Sequence, residues 1–113
     1  MTDLDVLTTP SGVDVLQPGS GLTTAGAPQL IALVTSLVER GRTWFVVDLS
    51  QTEHIDSSGL AALLSCLRTA RRAGGDLKLS APTEQVRTVL DRANLSDVLG
   101  AEPSVDDAVA AIA

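Results

Sequence analysis

The sequence predicts an α/β fold, a mixed β-sheet of four to five strands packed by four helices in a single domain over residues 1–113. Three observations carry this expectation. Short stretches of strand character alternate with longer ones whose apolar residues recur at helical spacing, in the order ββαβαβα(β)α. Two of these alternations are strand–helix–strand units, which imply parallel neighbours and right-handed crossovers. The chain is also apolar enough, at 44% of 113 residues, to bury one sizeable core.

Leu4-Asp5-Val6 and Val13-Asp14-Val15 alternate apolar with acidic residues, as half-buried strands do, and Thr9-Pro10-Ser11-Gly12 supplies turn chemistry for a hairpin between them. Pro18-Gly19-Ser20-Gly21 breaks the second strand. Pro28 opens a helix with the stripe Leu30, Leu33/Val34, Leu37, and Gly41 lies just past its end. Trp44-Phe45-Val46-Val47-Asp48-Leu49 is nearly continuous in apolar residues and reads as a central strand covered on both faces. From Ser57 a second helix presents Leu60, Leu63/Leu64 and Leu67, and Gly74-Gly75 stop it.

Leu77-Lys78-Leu79 is a short strand. Pro82 opens a third helix with Val86, Val89/Leu90 and Ala93 inward and Asn94 near its end. A weak strand is expected at Val98-Leu99. Ser104-Val105-Asp106-Asp107 resembles a capping box, and Val105, Val109 and Ile112 give the last helix its stripe.

Composition excludes several functions. A net charge of −6 repels a phosphate backbone, so no nucleic-acid partner is expected. No apolar run approaches the ~20 residues that span a bilayer, and the acidic MTDLDVLTT is not a signal peptide, so no membrane partner is expected. The single cysteine, Cys66, makes no internal disulfide and fits a reducing cytoplasm. One histidine and one cysteine make no zinc site, and the carboxylates lack calcium-loop spacing, so neither metal nor cofactor is expected.

In open sheets of parallel strands, functional residues gather beyond the strands' carboxyl ends, where the next helices start. This directs attention to SQTEHIDS, residues 50–57, between the central strand and the second helix. Ser57 falls at the helix's first turn, beside free backbone N–H groups and the positive end of the helix dipole. A phosphate there would meet several donors. Asp56 either caps the helix or orients the neighbouring hydroxyl, and Gly59 leaves the approach open. Position alone favours Asp56 or Ser57 as a plain N-cap, worth about 1 kcal/mol.

Read together, VVDLSQTEHIDSSGLAALLSCLRTARRAGGDLKLSAP resembles the core of the STAS domain, the family of bacterial anti-sigma factor antagonists. The buried strand ending Val-Asp-Leu-Ser, the Ile-Asp-Ser-Ser-Gly-Leu turn, the Gly-Gly pair and the short strand after it fall in the family's order. VRTVLDRANLSDVLGAEPSVDDAVAAI extends the resemblance, which covers about residues 44–112. The resemblance implies a non-enzymatic switch. Such proteins bind an anti-sigma factor that is also a serine kinase; phosphorylation of the first serine after the aspartate ends the complex, and a serine phosphatase resets it. By position the acceptor is Ser57, with Asp56, Ser58 and Gly59 in its loop, and ATP and magnesium belong to the kinase.

A phosphate adds roughly −1.5 to −2 charges beside Asp56 and Glu53, a desolvation cost of several kcal/mol at an interface. The helix from Ser57 would form the platform, with Arg68 and Arg72 either touching the partner or simply solvated near the helix end. The family commonly carries Gly-x-Leu-Asp after the second strand. Residues 19–28 read GSGLTTAGAP, which puts the acid's place on Thr23 or Leu22. The missing acid supports an alternative, a STAS scaffold or sensor module in which Ser57 is only a cap.

An enzyme is a third reading, a hydrolase using Ser57 and His54. The nucleophile-elbow pattern is absent and one histidine beside the serine makes a poor triad, so His54 is expected as a surface loop residue. Cys66 sits among leucines and reads as buried and inert. Trp44 is expected in the core or at its rim, and Asp48 is expected to hold the loop that follows it.

Overall fold

The computed structural model describes residues 4–112. Strands β1 (Asp5–Thr8) and β2 (Asp14–Gln17) form the expected antiparallel hairpin, with Val6 opposite Leu16 and Leu7 opposite Val15. The Thr9 hydroxyl closes its turn, donating to the Val13 carbonyl and accepting from the Val13 N–H, while Gly12 takes the positive φ (+85°) the turn requires.

β2 pairs parallel with β4 (Trp44–Asp48), and β4 with β6 (Asp76–Ser80), giving a sheet in the order β1-β2-β4-β6. Both expected crossovers are present, through helices α1 (Ala27–Glu39) and α2 (Ser57–Arg72). Two further strands, β3 (Gly21–Leu22) and β5 (His54–Ile55), pair parallel as a separate small sheet. The chain ends in α3 (Glu84–Arg92), the single turn α4 (Ser96–Leu99) and α5 (Val105–Ile112).

Side chains alternate across the central strand as a sheet covered on both faces requires. Phe45 and Val47 join the main core with Leu30, Val34 and Leu37 of α1, Leu63 and Leu67 of α2, and Val86 and Leu90 of α3. Val46 points the other way and packs with Val13, Val15, Ala108 and Ile112 under α5. Trp44 is 38% exposed and lies at the rim.

Three helices end alike. A left-handed residue follows each C-cap: Gly41 (φ +84°) after α1, Gly74 (φ +93°) after α2 and Asn94 (φ +58°) after α3. In each, the next two N–H groups return to the last turn's carbonyls, such as Gly74 to Arg71 and Gly75 to Ala70, which satisfies acceptors a helix otherwise leaves unpaired. The two glycines at 74–75 serve different needs. Gly74 supplies the backbone angle with open space around it, whereas a Cβ on Gly75 would stand 1.7 Å from the Thr43 carbonyl.

The structure departs from the sequence-based expectations at several points. Val98-Leu99 is not a strand but lies in α4, which Gly100 (φ +59°) terminates; the described residues hold five helices rather than four. The break at Pro18–Gly21 and the loop at 50–57 each contribute a two-residue strand. Ala93 is the exposed C-cap of α3 rather than an inward residue. The β1 residues are all exposed, since β1 is the edge strand of the sheet, rather than half-buried. Ser104 caps α5 as expected, its hydroxyl accepting from the Asp107 N–H at 3.1 Å.

Candidate functional site

Beyond the carboxyl ends of the parallel strands, three loops are tied into one junction. Asp48, at the end of β4, accepts from Gln17 Nε2 at the end of β2 (2.9 Å) and from the Ser50 N–H (3.0 Å), so it does hold the following loop. The buried Thr52 donates to the Gly19 carbonyl (2.7 Å), and Thr83 donates to the Thr52 carbonyl (3.0 Å). The N–H groups of Glu53 and His54 both reach the Ser20 carbonyl. The small β3–β5 sheet grows from these ties and sets the start of α2.

Asp56 is the N-cap of α2, its Oδ1 accepting from the Gly59 N–H at 3.0 Å. The cap expected of Asp56 or Ser57 therefore falls to Asp56, and Ser57 is the first helical residue. Gly59 is placed by close approach: a Cβ there would lie 2.0 Å from the Leu22 carbonyl and 2.9 Å from Ile55 Cγ1. Only glycine lets β3 lie against the first turn of α2.

The Ser57 side chain is exposed and has no side-chain hydrogen bond among the described residues. Ser58 is half-buried, its Oγ 3.1 Å from Thr24 Oγ1. Thr24 also reaches the second oxygen of Asp56 twice, with its N–H at 3.3 Å and its hydroxyl at 3.4 Å. Leu22 is buried in β3, and the Thr23 carbonyl accepts from Gly26 and Ala27 at the start of α1. The residue whose side chain reaches Asp56 and Ser58 from this segment is thus Thr24, while Leu22 meets Asp56 only through its backbone carbonyl.

Electrostatics follow from these contacts. The Gly59 N–H, with lesser help from the Thr24 and Ser58 N–H groups and the Thr24 hydroxyl, holds the Asp56 carboxyl below its ordinary range against some desolvation. Asp56 is therefore a fixed negative charge beside Ser57 at neutral pH. Arg68 and Arg72 are exposed on α2, but 11 and 15 residues beyond Ser57 they lie about 16 and 22 Å along the helix axis. They are not brought to the loop.

His54 is exposed in β5, and no hydrogen bond joins it to Ser57 among the described residues. It lines, with Glu53, Ile55, Gln85 and Val89, an open cleft of about 280 Å³ between β5 and α3. Among the described residues no cluster of three or more His, Cys, Asp or Glu is placed to hold a metal, and no helix is long and apolar enough to cross a membrane.

Cys66 is buried, and burial pushes its thiol up to about 12. Alkylation of the native protein at pH 8 is expected to be at least about a hundredfold slower than in denaturant, because so little thiolate forms. A native rate within tenfold would mean the α1–α2 layer opens readily.

The sequence directed attention to Asp56, Ser57, Ser58 and Gly59, and the structure places them together. It did not direct attention to Thr24 or to the Leu22 carbonyl. A two-residue strand has no periodicity, so the contact of β3 with α2 left only the glycine at 59 as a signal.

The STAS domain family model matches residues 6–108, and the chain belongs to that family. The anti-sigma factor antagonist from Mycobacterium paratuberculosis is similar in structure at 24% identity and a TM-score of 0.83, covering 99% of this chain and 94% of that one. Bacillus SpoIIAA, a cell-fate determinant solved in its phosphorylated form, aligns at 17% identity and a TM-score of 0.74 over 97% of this chain and 99% of its own. The murine anion transporter Slc26a9 aligns at 22% identity and a TM-score of 0.73, over 87% of this chain but 17% of the transporter. At these identities the likeness is one of fold. No curated protein sequence matches the chain.

Proposed function

We propose that this chain is a cytoplasmic anti-sigma factor antagonist that binds an anti-sigma serine kinase, is switched off by phosphorylation at Ser57 and is reset by a serine phosphatase. The observation that carries this reading is the exposed, unengaged Ser57 hydroxyl at the first position of α2, beside a cap that Asp56 already supplies. A hydroxyl with no structural duty is free to be modified without unfolding the helix. The similar structures of an anti-sigma factor antagonist and of SpoIIAA, itself an anti-sigma factor antagonist solved both without phosphate and phosphorylated, support the same assignment.

The phosphate would sit at the positive end of the α2 dipole, so the isolated protein tolerates it. A docked partner does not, because the dianion adds to Asp56 and must be stripped of water. The chain has no catalytic role in this scheme; Asp56, Ser57, Ser58 and the outer face of α2 with Arg68 and Arg72 form the contact surface, while Gly59, expected from the sequence to leave the approach open and to touch the partner, is buried against Leu22 and only shapes the loop.

The test is a pull-down from native lysate with wild-type, Ser57→Ala and Ser57→Asp baits. A kinase-like anti-sigma protein should be retained by the first two and lost from the third, with affinity reduced at least about a hundredfold, or about 2.7 kcal/mol. Equal retention by all three would favour a second reading, a STAS scaffold or sensor module that is not phosphorylated. The neutral Thr24 beside Asp56, in a family that commonly carries an acid in this segment, favours that reading, as does the presence of the fold in an anion transporter.

A further inference from the structure

We propose that Thr24 is a positioning residue that selects Ser57 over Ser58 as the phosphate acceptor, by holding the Ser58 hydroxyl in a bond to its own hydroxyl oxygen. This inference rests on the reading of Ser57 as the modified residue and says why its neighbour is spared. The two serines are adjacent on one helical turn, and an incoming kinase has no distance criterion to separate them. Their surroundings separate them. Ser57 is exposed with its hydroxyl free, whereas Ser58 is half-buried with its Oγ 3.1 Å from Thr24 Oγ1.

The charge on Asp56 favours one direction for that bond. A threonine hydroxyl carries one proton and accepts through its lone pairs. Directed to the ionised Asp56 Oδ2, 3.4 Å away, that proton leaves the Thr24 oxygen as acceptor and makes Ser58 the donor. The Thr24 N–H reaches the same carboxylate oxygen at 3.3 Å and holds the loop in register, so the hydroxyl stays aimed at Ser58. The first turn of α2 cannot shift to release Ser58, because Gly59 lies against the Leu22 carbonyl two residues before Thr24.

Phosphoryl transfer needs the acceptor oxygen free. The serine Oγ bonds to the γ-phosphorus of a nucleoside triphosphate held by the kinase, and the bond from that phosphorus to the β–γ bridging oxygen breaks. Nucleoside diphosphate leaves, and the hydroxyl proton passes to a base of the kinase. The exposed Ser57 hydroxyl is open to such a base. With the Thr24 proton on Asp56, the Ser58 proton is held inward on Thr24.

The test maps phosphate on the full-length chain recovered from its native host, by fragmentation mass spectrometry that separates adjacent serines. Thr24→Val keeps the shape and the backbone N–H but removes the hydroxyl; Thr24→Ser keeps the hydroxyl. Wild type and Thr24→Ser should carry phosphate on Ser57, and Thr24→Val should raise the Ser58-to-Ser57 ratio about fivefold or more, the effect of losing one ordinary hydrogen bond. An unmoved ratio with Ser57 phosphorylated overturns the selection alone. Absence of phosphate from both serines in wild type overturns the reading of Ser57 and the selection with it.

A second readout concerns Asp56. Its folded-state titration lies below the ordinary value, so the stability it contributes is present above its unfolded pKa and is lost as pH falls through the folded one. By NMR, Thr24→Val should move the Asp56 titration to higher pH and Thr24→Ser should restore it. The Thr24 hydroxyl is the least of the groups that lower Asp56, so the shift is small and the phosphate ratio decides the positioning role.

Discussion

Gly59→Ala is expected to lower the unfolding free energy by about 3 kcal/mol, the upper range for forcing atoms into a packed site, and to abolish partner retention. The added Cβ would lie 2.0 Å from the Leu22 carbonyl, a backbone atom that cannot rotate away. Relief requires β3 to leave the first turn of α2. That movement breaks the hydrogen bond from the Asp56 N–H to the Leu22 carbonyl and carries Thr24 off Asp56 and Ser58. Urea unfolding with a parallel pull-down measures both effects. A variant within about 1 kcal/mol of wild type would show that β3 has slack to retreat.

Arg42→Ala is expected to lower the urea unfolding midpoint, by less than the full loss of a partner from a buried ion pair because the arginine is partly solvated. Asp14 is only 1% exposed in its side chain, while Arg42, at 35%, reaches in from beyond α1 with Nε 2.6 Å from Asp14 Oδ2. Thr8 donates to the other carboxylate oxygen at 2.8 Å, and a second Arg42 nitrogen reaches the Gly12 carbonyl. The pair thus ties the hairpin turn to the segment before β4. Removing the guanidinium leaves a carboxylate buried with one neutral donor. Adding Asp14→Asn to the Arg42→Ala background should recover about half the loss, since the uncompensated charge and not the missing contact dominates. No recovery would mean that the arginine acts through packing of its stem.

The helices and the central sheet were legible because each has enough residues to show a period. Leu30, Val34 and Leu37, or Leu63 and Leu67, repeat over several turns, and Gly41, Gly74 and Asn94 mark their ends with a backbone angle few other residues take. Features of two to four residues were not legible. Val98 and Leu99 read as a strand pair, but four residues closed by Gly100 form a helical turn, and Ala93 falls on the cap one residue past the end of α3.

The candidate site divides the same way. Asp56, Ser57, Ser58 and Gly59 are contiguous and announce themselves as a helix start. Thr24 acts on residues 32 and 34 positions away, through a two-residue strand pairing that no local pattern encodes. The alternation in β1 misled for a different reason. Period two reports a pleated strand, not whether a second layer covers it.

That uncovered edge bears on how molecules of this protein behave in concentrated solution. Val6 is 42% and Leu7 66% exposed on a strand whose outer rim of backbone donors and acceptors faces water, the arrangement that invites sheet-to-sheet growth between copies. Two features oppose it. The strand is four residues long and begins at Asp5, so a docked copy gains few bonds and brings carboxylates into its own pairing zone. The chain's net charge of −6 adds a repulsion that operates before contact. Screening by salt removes only the second, which makes colloidal stability of this domain a property of ionic strength.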